Sequence, residues 1–375
     1  MNVYARRYLV DAMGGMAQGL FSSLLVGTII RTLGELLLRL SANPIFQFLV
    51  DAGKFCSETH VVGAAMAIGI GKSLGANSLV LFSLVAVGGS ANVLGGAGGP
   101  FSVLIISIAA AEIGKLASGK TKIDILLTPI STILTGILLS FLCAKRIGIA
   151  ASWIGKFIML STEFHPFVMG IFVSVVVGIV LTLPISSAAI CAALGLTGLA
   201  GGAAVAGCSA QMVGFAVMSF KENGWGGLIS QGLGTSMLQM PNIVKNPRIW
   251  IAPTLASAIT GPLSTCLFKI QMNGPAISSG MGTCGFVGQI GVITGWLNPS
   301  PEAVNWAIHR AEKMGFASEE IAAITGESLR LFPTAWNWFA LLMISIVLPG
   351  VLAWIFCRLE QKLGWIKPGD LKLEN

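Results

Sequence analysis

The long uncharged stretches of this chain constrain its fold more than any other feature. Residues 166–220 contain no Lys, Arg, Asp or Glu, and neither do residues 73–111. A helix that crosses a bilayer needs about 20 residues to cover about 30 Å of hydrocarbon. Each stretch therefore has room for two crossings, with natural breaks at Pro184 and between Gly95 and Pro100. Only 10% of the side chains are charged, against about 25% in soluble domains, which excludes a soluble enzyme.

Other apolar windows predict further crossings, at residues 12–30, 125–144, 249–268 and 331–357. The sequence therefore predicts an all-α polytopic membrane protein of the plasma membrane with about ten transmembrane helices. Basic clusters lie near both ends, and cytoplasmic loops carry the excess of Lys and Arg, so both termini are expected in the cytoplasm. Lys145 and Arg146 go against this orientation.

Three segments look different from crossing helices. Residues 43–56 and 148–160 are too short to span and carry a few charges, which is typical of helices lying in the membrane plane. Residues 301–330 alternate charged and apolar positions at helical spacing and predict an extramembrane helical pair. The predicted organisation is an N-terminal scaffold and dimerisation half (1–165), a substrate-transport half (166–300), the extramembrane segment (301–330), and a last crossing with a cytoplasmic tail (331–375).

Two windows, residues 223–244 and 270–301, contain many Gly, Gln, Asn and Thr residues. A straight helix facing lipid would expose costly polar groups there, so we expect two re-entrant hairpins. The windows share a short pattern, GLGTS at 232–236 and GMGTC at 280–284. These pentapeptides are interpreted as equivalent hairpin tips, although such a pattern also recurs by chance in a Gly-rich chain.

Uncharged hydrogen-bonding side chains inside apolar windows are the candidate ligands of a solute. Their alternative role is to join helices through hydrogen bonds. Both hairpin windows lack Lys and Arg, so their chemistry suits a small neutral, polyhydroxylated solute rather than an anion. The predicted substrate-binding residues in these windows and the adjoining helix are Gln211, Thr235, Gln239, Asn242, Asn273, Thr283 and Gln289.

Glu163 and His165 complete the predicted substrate-binding set. A carboxylate and an imidazole at a membrane boundary bind a solute hydroxyl or titrate as a proton-coupling pair. The alternative is a polar cap in front of Pro166. The three histidines are far apart in the sequence and no phosphate-binding loop motif occurs, so no metal site, cofactor or nucleic-acid partner is expected.

Several segments resemble one membrane family. They are SGKTKIDILLTP (118–129), TLPISSAAI (182–190), CSAQMVGFA (208–216), FKENG (220–224), GLGTSMLQMPNIVKNPRIWIAP (232–253) and SGMGTCGFVGQIG (279–291). They are similar to the small family related to the IIC permease subunits of the bacterial phosphotransferase system, of the perfringolysin-regulator or putative toxin-regulator type. The resemblance covers about residues 8–295.

The resemblance implies the architecture of the glucose, fructose and lactose class of IIC proteins. It implies interfacial helices, two re-entrant hairpins, a homodimer formed by the N-terminal half, and a mobile second half that carries a sugar by an elevator-type movement. No IIA or IIB domain with its phosphorylatable residue is recognisable, so the chain is not expected to be an enzyme by itself. It uses a separate IIB protein or transports without phosphorylation. A membrane-embedded regulator of gene expression without transport is the alternative function.

Overall fold

The computed structural model describes Tyr4 and residues 6–373. Positions 1–3 and 5 of the predicted N-terminal half, and positions 374–375 of the tail, lie outside the described residues. Within the described part the chain is helical and forms no strand, and one isolated antiparallel bridge joins Gly198 and Met272. The all-helical fold predicted from the sequence is confirmed.

The first eight helices belong to the segment that was assigned to the scaffold half. They are α1 (Ala12–Leu20), α2 (Val26–Leu40), α3 (Pro44–Cys56), α4 (Thr59–Ser73), α5 (Ser78–Gly95), α6 (Gly99–Ala117), α7 (Asp124–Leu139) and α8 (Lys145–Ser161). Helices α1, α4, α5, α6 and α7 pack side by side into a bundle, while α3 folds back along α2.

The remaining helices are mostly shorter and more often interrupted. They are α9 (Pro166–Thr182), α10 (Ser187–Leu194), α11 (Gly198–Met218), α12 (Phe220–Ile229), α13 (Met240–Lys245), α14 (Ile251–Pro262), α15 (Val287–Leu297), α16 (Pro301–Lys313), α17 (Ser318–Ala322), α18 (Ala335–Leu342) and α19 (Leu348–Lys362). Helices α9, α11, α14 and α19 form a second bundle. Helices α16 and α17 are the helical pair predicted after Pro301.

Among the described residues, five helical stretches are long and apolar enough to cross a membrane: Arg6–Leu38, Ser78–Ala117, Asp124–Ser161, Gly198–Met218 and Ala335–Lys362. Ser78–Ala117 is not one rod, because Gly96 has a φ of 51° that a residue with a Cβ rarely adopts. The chain reverses there, and α5 and α6 pack against each other. The predicted break between Gly95 and Pro100 is therefore confirmed.

Helix α8 is not a separate segment. Backbone dihedrals stay helical from α7 through Ser140–Ala144 into α8, and the combined helix Asp124–Ser161 has 38 residues. At 1.5 Å per residue it measures roughly 57 Å, well beyond the thickness of the hydrocarbon layer. Residues 148–160, predicted as an independent in-plane helix, thus continue the preceding helix across Lys145 and Arg146.

Helix α11 lies at the centre of the second bundle. The predicted break at Pro184 is present, because α9 ends at Thr182 and the short α10 precedes α11. In the most apolar window of α11, 94% of the residues are buried inside the protein. The helix consists largely of Ala and Gly, so α9, α14 and α19 can all approach its axis closely.

Candidate functional site

Both Gly-rich windows fold into interrupted helical turns. The first, which we call hairpin 1 (residues 220–245), is broken at Gly224, which has a φ of 57°, and at Thr235, which is extended. The second, hairpin 2 (residues 269–297), runs through short turns at Ala276–Gly280 and Cys284–Phe286 before α15 begins. Neither window forms one continuous crossing helix within the described residues. Their re-entrant depth in a bilayer stays a prediction.

The two tips with the shared pattern contact each other. The Thr283 hydroxyl donates a hydrogen bond to the main-chain carbonyl of Gly232, so position four of the second pentapeptide meets position one of the first. The tip of hairpin 2 is also held from the other side, because the Ser187 hydroxyl donates to the Gly280 carbonyl at 2.6 Å.

Hairpin 2 lies directly on the backbone of α11. Gly282 has a φ of 50°, and an ideal Cβ there would lie 2.6 Å from the Cβ of Cys208 and 2.8 Å from its main-chain carbon. Real Cβ atoms do not approach so closely, so this contact requires glycine. The second glycine of the GMGTC pattern therefore sets how closely the tip approaches the central helix.

Gln211 of α11 is fully buried, and both the oxygen and the nitrogen of its amide are hydrogen-bonded. Its Oε1 accepts from the Thr182 hydroxyl at 3.3 Å and from the Trp250 indole at 3.0 Å, and its Nε2 donates to the Thr254 hydroxyl at 3.2 Å. Thr182 is also 2.7 Å from the hydroxyl of Ser236. Gln211 therefore links α9, α14 and hairpin 1, in agreement with the interhelical alternative for this residue.

Gln289 has a different environment. Its Nε2 donates to the Ser209 hydroxyl of α11 at 3.3 Å, while its Oε1 has no hydrogen-bond partner among the described residues, although the residue is only 7% exposed. A buried acceptor without a donor is costly in a folded protein. This oxygen is consequently available to a ligand hydroxyl close to the tip of hairpin 2.

Thr235 and Asn273 make local hydrogen bonds. Thr235 accepts from the Met237 amide at 3.2 Å and so caps the turn that follows the first tip. Asn273 donates to the side chain of Gln271 at 3.2 Å, and both line a small cavity of about 40 Å³ beside Trp296. Thr235 lies at the break in hairpin 1, and Asn273 precedes the turns of hairpin 2.

Gln239 and Asn242 make different contacts from the other predicted ligands. The Gln239 side-chain amide donates to the main-chain carbonyl of Leu371 and to the side-chain oxygen of Gln231. The Asn242 amide donates to the side-chain oxygen of Gln239 and to the main-chain carbonyl of Lys372. Their amides thus bind the C-terminal segment of the chain. The sequence does not predict this contact with the C-terminal segment, because the two segments lie about 130 positions apart and share no motif.

Glu163 and His165 lie at the junction between α8 and α9. The Glu163 carboxylate is 2.6 Å from the Lys313 ammonium of α16, and the hydrogen bond and charge of Lys313 lower the pKa of this carboxyl. The imidazole Nδ1 of His165 accepts from the Phe167 amide at 3.4 Å, the geometry of a cap in front of Pro166. Together with Trp306, these side chains line a cavity of about 520 Å³.

The predicted residues therefore fall into separate groups. Thr283 and Gln289 lie with Ser209 where hairpin 2 meets α11, and Gln211 lies two residues further along the same helix. Glu163 and His165 belong to the junction with α16, and Gln239 and Asn242 to the C-terminal segment. We take the meeting point of the two tips on α11 as the candidate site, because it combines the close tip contact with a free buried acceptor.

Comparison with known proteins gives one family. A family model described as "Phosphotransferase system, EIIC" matches residues 10–311, which is most of the chain and includes both hairpins and α11. A comparison with curated proteins gave no match.

Proposed function

The chain belongs to the EIIC family of the phosphotransferase system, a family of sugar-transporter-like membrane permeases, and we propose that it moves a neutral, polyhydroxylated solute. EIIC proteins are transporter components and are not catalytic on their own. The contacts described above support this class of solute, a binding site at the two tips and the mode of movement that we propose.

The free Oε1 of Gln289 is the observation that carries the proposal. A buried amide oxygen without a donor suits a ligand hydroxyl, and the neighbouring hydroxyls of Thr283 and Ser209 add further polar groups. Neutral donors and acceptors match the hydroxyls of a sugar or polyol. Residues 223–244 and 270–301 contain no Lys or Arg, so no fixed positive charge in these windows favours an anionic solute.

An elevator-type movement is supported by the way the hairpins are joined to one another. Thr283 links the two tips, Gln289 links hairpin 2 to α11, and Ser236 links hairpin 1 to α9. These hydrogen bonds hold the two hairpins, α9 and α11 together. We therefore propose that these four elements move as one unit with the solute. A homodimer and a separate IIB protein as phosphate donor are the proposed partners.

Binding measurements on the purified full chain test the proposed site. The wild-type protein is screened with sugars, polyols and sugar phosphates for ligands that raise its unfolding temperature. Gln289→Met removes the amide at similar volume, and we expect it to weaken binding of the neutral ligand by about tenfold or more. Gln47→Met on the exposed face of α3 is the matched control and should bind normally.

The outcomes separate the alternatives. Binding of a neutral solute together with uptake into proteoliposomes supports a permease, whereas binding without uptake is the result expected for a regulator. Preference for a sugar phosphate over the parent sugar would contradict a neutral solute. Unchanged affinity in Gln289→Met would remove the tip region from the site.

A further inference from the structure

The C-terminal segment of the chain is held by side chains of a distant segment. After α19 ends at Lys362, residues 365–373, which we call the tail, run along hairpin 1 without joining a helix or strand. Three of their amides, those of Trp365, Asp370 and Lys372, donate to nearby main-chain carbonyls. Several of their other main-chain groups are bound by polar side chains of that distant segment. These side chains, which we call the tail clamp, are Glu222, Asn223, Gln239, Asn242 and Asn246.

Asn223 contacts the tail in the way a neighbouring strand would. Its Nδ2 donates to the Leu371 carbonyl at 2.8 Å, and its Oδ1 accepts from the Leu373 amide at 2.9 Å. These two groups flank Lys372, and one residue of a parallel strand bonds to the same pair of groups in its neighbour. The side chain of Lys372 is exposed and takes no part in the contact. The recognition by Asn223 is therefore independent of the tail sequence.

The other members of the tail clamp extend this main-chain recognition. The two carboxylate oxygens of Glu222 accept from the amides of Gly369 and Leu371, each at 3.1 Å. Gln239 and Asn242 donate to the carbonyls of Leu371 and Lys372 at 3.0 and 2.9 Å. A carboxylate that accepts two amide hydrogens makes strong, charge-assisted bonds.

The tail clamp is ordered by its own hydrogen bonds. Gln231 donates to the Ser219 hydroxyl and accepts from Gln239, which in turn accepts from Asn242, all at 2.8–2.9 Å. Connected amides of this kind fix one another's orientation. The clamp groups are thus held in position by hairpin 1 itself, which is what a preformed binding site requires.

Only two tail side chains are buried, Ile366 and Leu371, at 3% and 1% exposure. Leu371 belongs to the same apolar cluster as Met218 and Met240. A cavity of about 570 Å³ lies beside the tail and is lined by Asn242, Asn246 and Lys372 among others. The tail therefore attaches through its main chain and two buried apolar side chains, next to this cavity.

We propose that the tail clamp is a binding site for a peptide that buries one isoleucine and one leucine, and that its ligand is the tail of this same chain. The tail occupies the site as an exchangeable segment and not as a permanent part of the core. While the tail occupies the site, the side-chain amides of Gln239 and Asn242 in hairpin 1 remain hydrogen-bonded to it. The proposal depends on the tail contacts alone and not on the identity of the transported solute.

A labelled synthetic peptide, WIKPGDLKLEN (residues 365–375), tests the site on the full chain. In the wild-type chain the attached tail competes at a high effective concentration, so peptide binding is expected to be weak. In Leu371→Asp the chain's own tail no longer fits, and we expect peptide affinity to rise by about 100-fold or more. Fluorescence anisotropy measures both affinities, and elution volume and circular dichroism check that the variant is folded.

Two controls make the result specific. Adding Asn223→Ala to Leu371→Asp should abolish peptide binding, whereas adding Gln47→Ala should not. A peptide that itself carries Leu371→Asp should not bind. Should folded Leu371→Asp protein fail to bind the peptide, or bind it no better than wild type, or bind it equally well after Asn223→Ala, the proposal is wrong. Where Leu371→Asp does not fold, Leu371→Ala serves the same comparison.

Discussion

Thr283 in hairpin 2 donates its hydroxyl hydrogen bond to the main-chain carbonyl of Gly232 in hairpin 1. These residues belong to the two copies of a pentapeptide pattern that is visible in the sequence, GLGTS and GMGTC. Because a threonine side chain bonds to a main-chain atom, the contact depends on how closely both turns approach. This hydrogen bond can form only while the two hairpins are in contact.

Replacing Thr283 by Val should weaken the contact between these two tips. One hydrogen bond is lost, so we expect the free energy of unfolding to fall by about 0.5–1.5 kcal/mol, together with weaker solute binding. Chemical denaturation followed by tryptophan fluorescence measures the first effect. The control is Thr294→Val, because the Thr294 hydroxyl bonds only to carbonyls of its own helix. Equal behaviour of both variants would show that the tip contact adds nothing.

Gly282→Ala should be more damaging than an ordinary glycine replacement. Alanine at a positive φ costs about 1–2 kcal/mol, and overpacking against Cys208 adds about 1–3 kcal/mol. Gly315→Ala is the matched control, since Gly315 also has a positive φ of 76° but no atom within 4 Å of an added Cβ. Thermal unfolding of both variants checks the difference. Similar melting temperatures would mean that hairpin 2 can shift away from α11 without a loss in the stability of the fold.

The Glu163–Lys313 pair predicts a pH dependence. Lys313 lowers the pKa of the Glu163 carboxyl below its usual 4.5, so the stabilising contribution of the pair is present above about pH 4.5 and is lost as the pH falls through the lowered pKa. We expect Glu163→Gln to reduce this acid-side loss, and added salt to weaken the effect, because both side chains are about half exposed. Unfolding of wild type and variant between pH 3 and 7 measures it.

The same variant tests the role predicted for Glu163 and His165 in solute binding. If the pair only joins α16 to the α8–α9 junction and caps α9, solute affinity should be the same in Glu163→Gln, His165→Gln and wild type. A drop in affinity in either variant, with unchanged expression, would place the junction in the transport path. Isothermal titration with the solute from the ligand screen decides between these results.

The proposed homodimer is expected to persist in detergent. Helix α3 exposes Ile45, Phe48 and Phe55 at 65%, 67% and 69%, which provides an apolar surface for a second copy or for lipid. Light scattering at low protein concentration should give twice the chain mass of 39.0 kDa. A stable monomer that binds solute with full affinity would contradict the dimer.

Much of the helical pattern was predictable because each helix end has a local cause. Pro184 and the Gly95–Pro100 segment interrupt uncharged stretches at positions where the structure indeed reverses or breaks, and Pro301 begins α16. The continuity of α7 and α8 was not predictable from charge, because Lys145 and Arg146 look like the end of a crossing. Nothing in local composition shows that a helix continues past such residues.

The candidate site was predictable only in part. The repeated pentapeptide indicated that Gly232 and Thr283 have related surroundings, and polar residues in apolar windows drew attention to Gln289. The contact of Gln239 and Asn242 with the tail could not be predicted in this way. The tail clamp binds main-chain atoms, which do not differ with the side chain and so give no sequence pattern. Glu222 and Asn223 were missed for the same reason.

The burial of α11 on all sides has a consequence for how this chain tolerates mutation. A helix with one lipid-facing side accepts substitutions in a rhythm of 3.6 residues, so a saturation scan shows alternating permissive and restricted positions. With 94% of its most apolar window inside the protein, α11 has no permissive side. Its mutational profile should therefore be flat, and larger side chains should be poorly tolerated throughout Gly198–Met218.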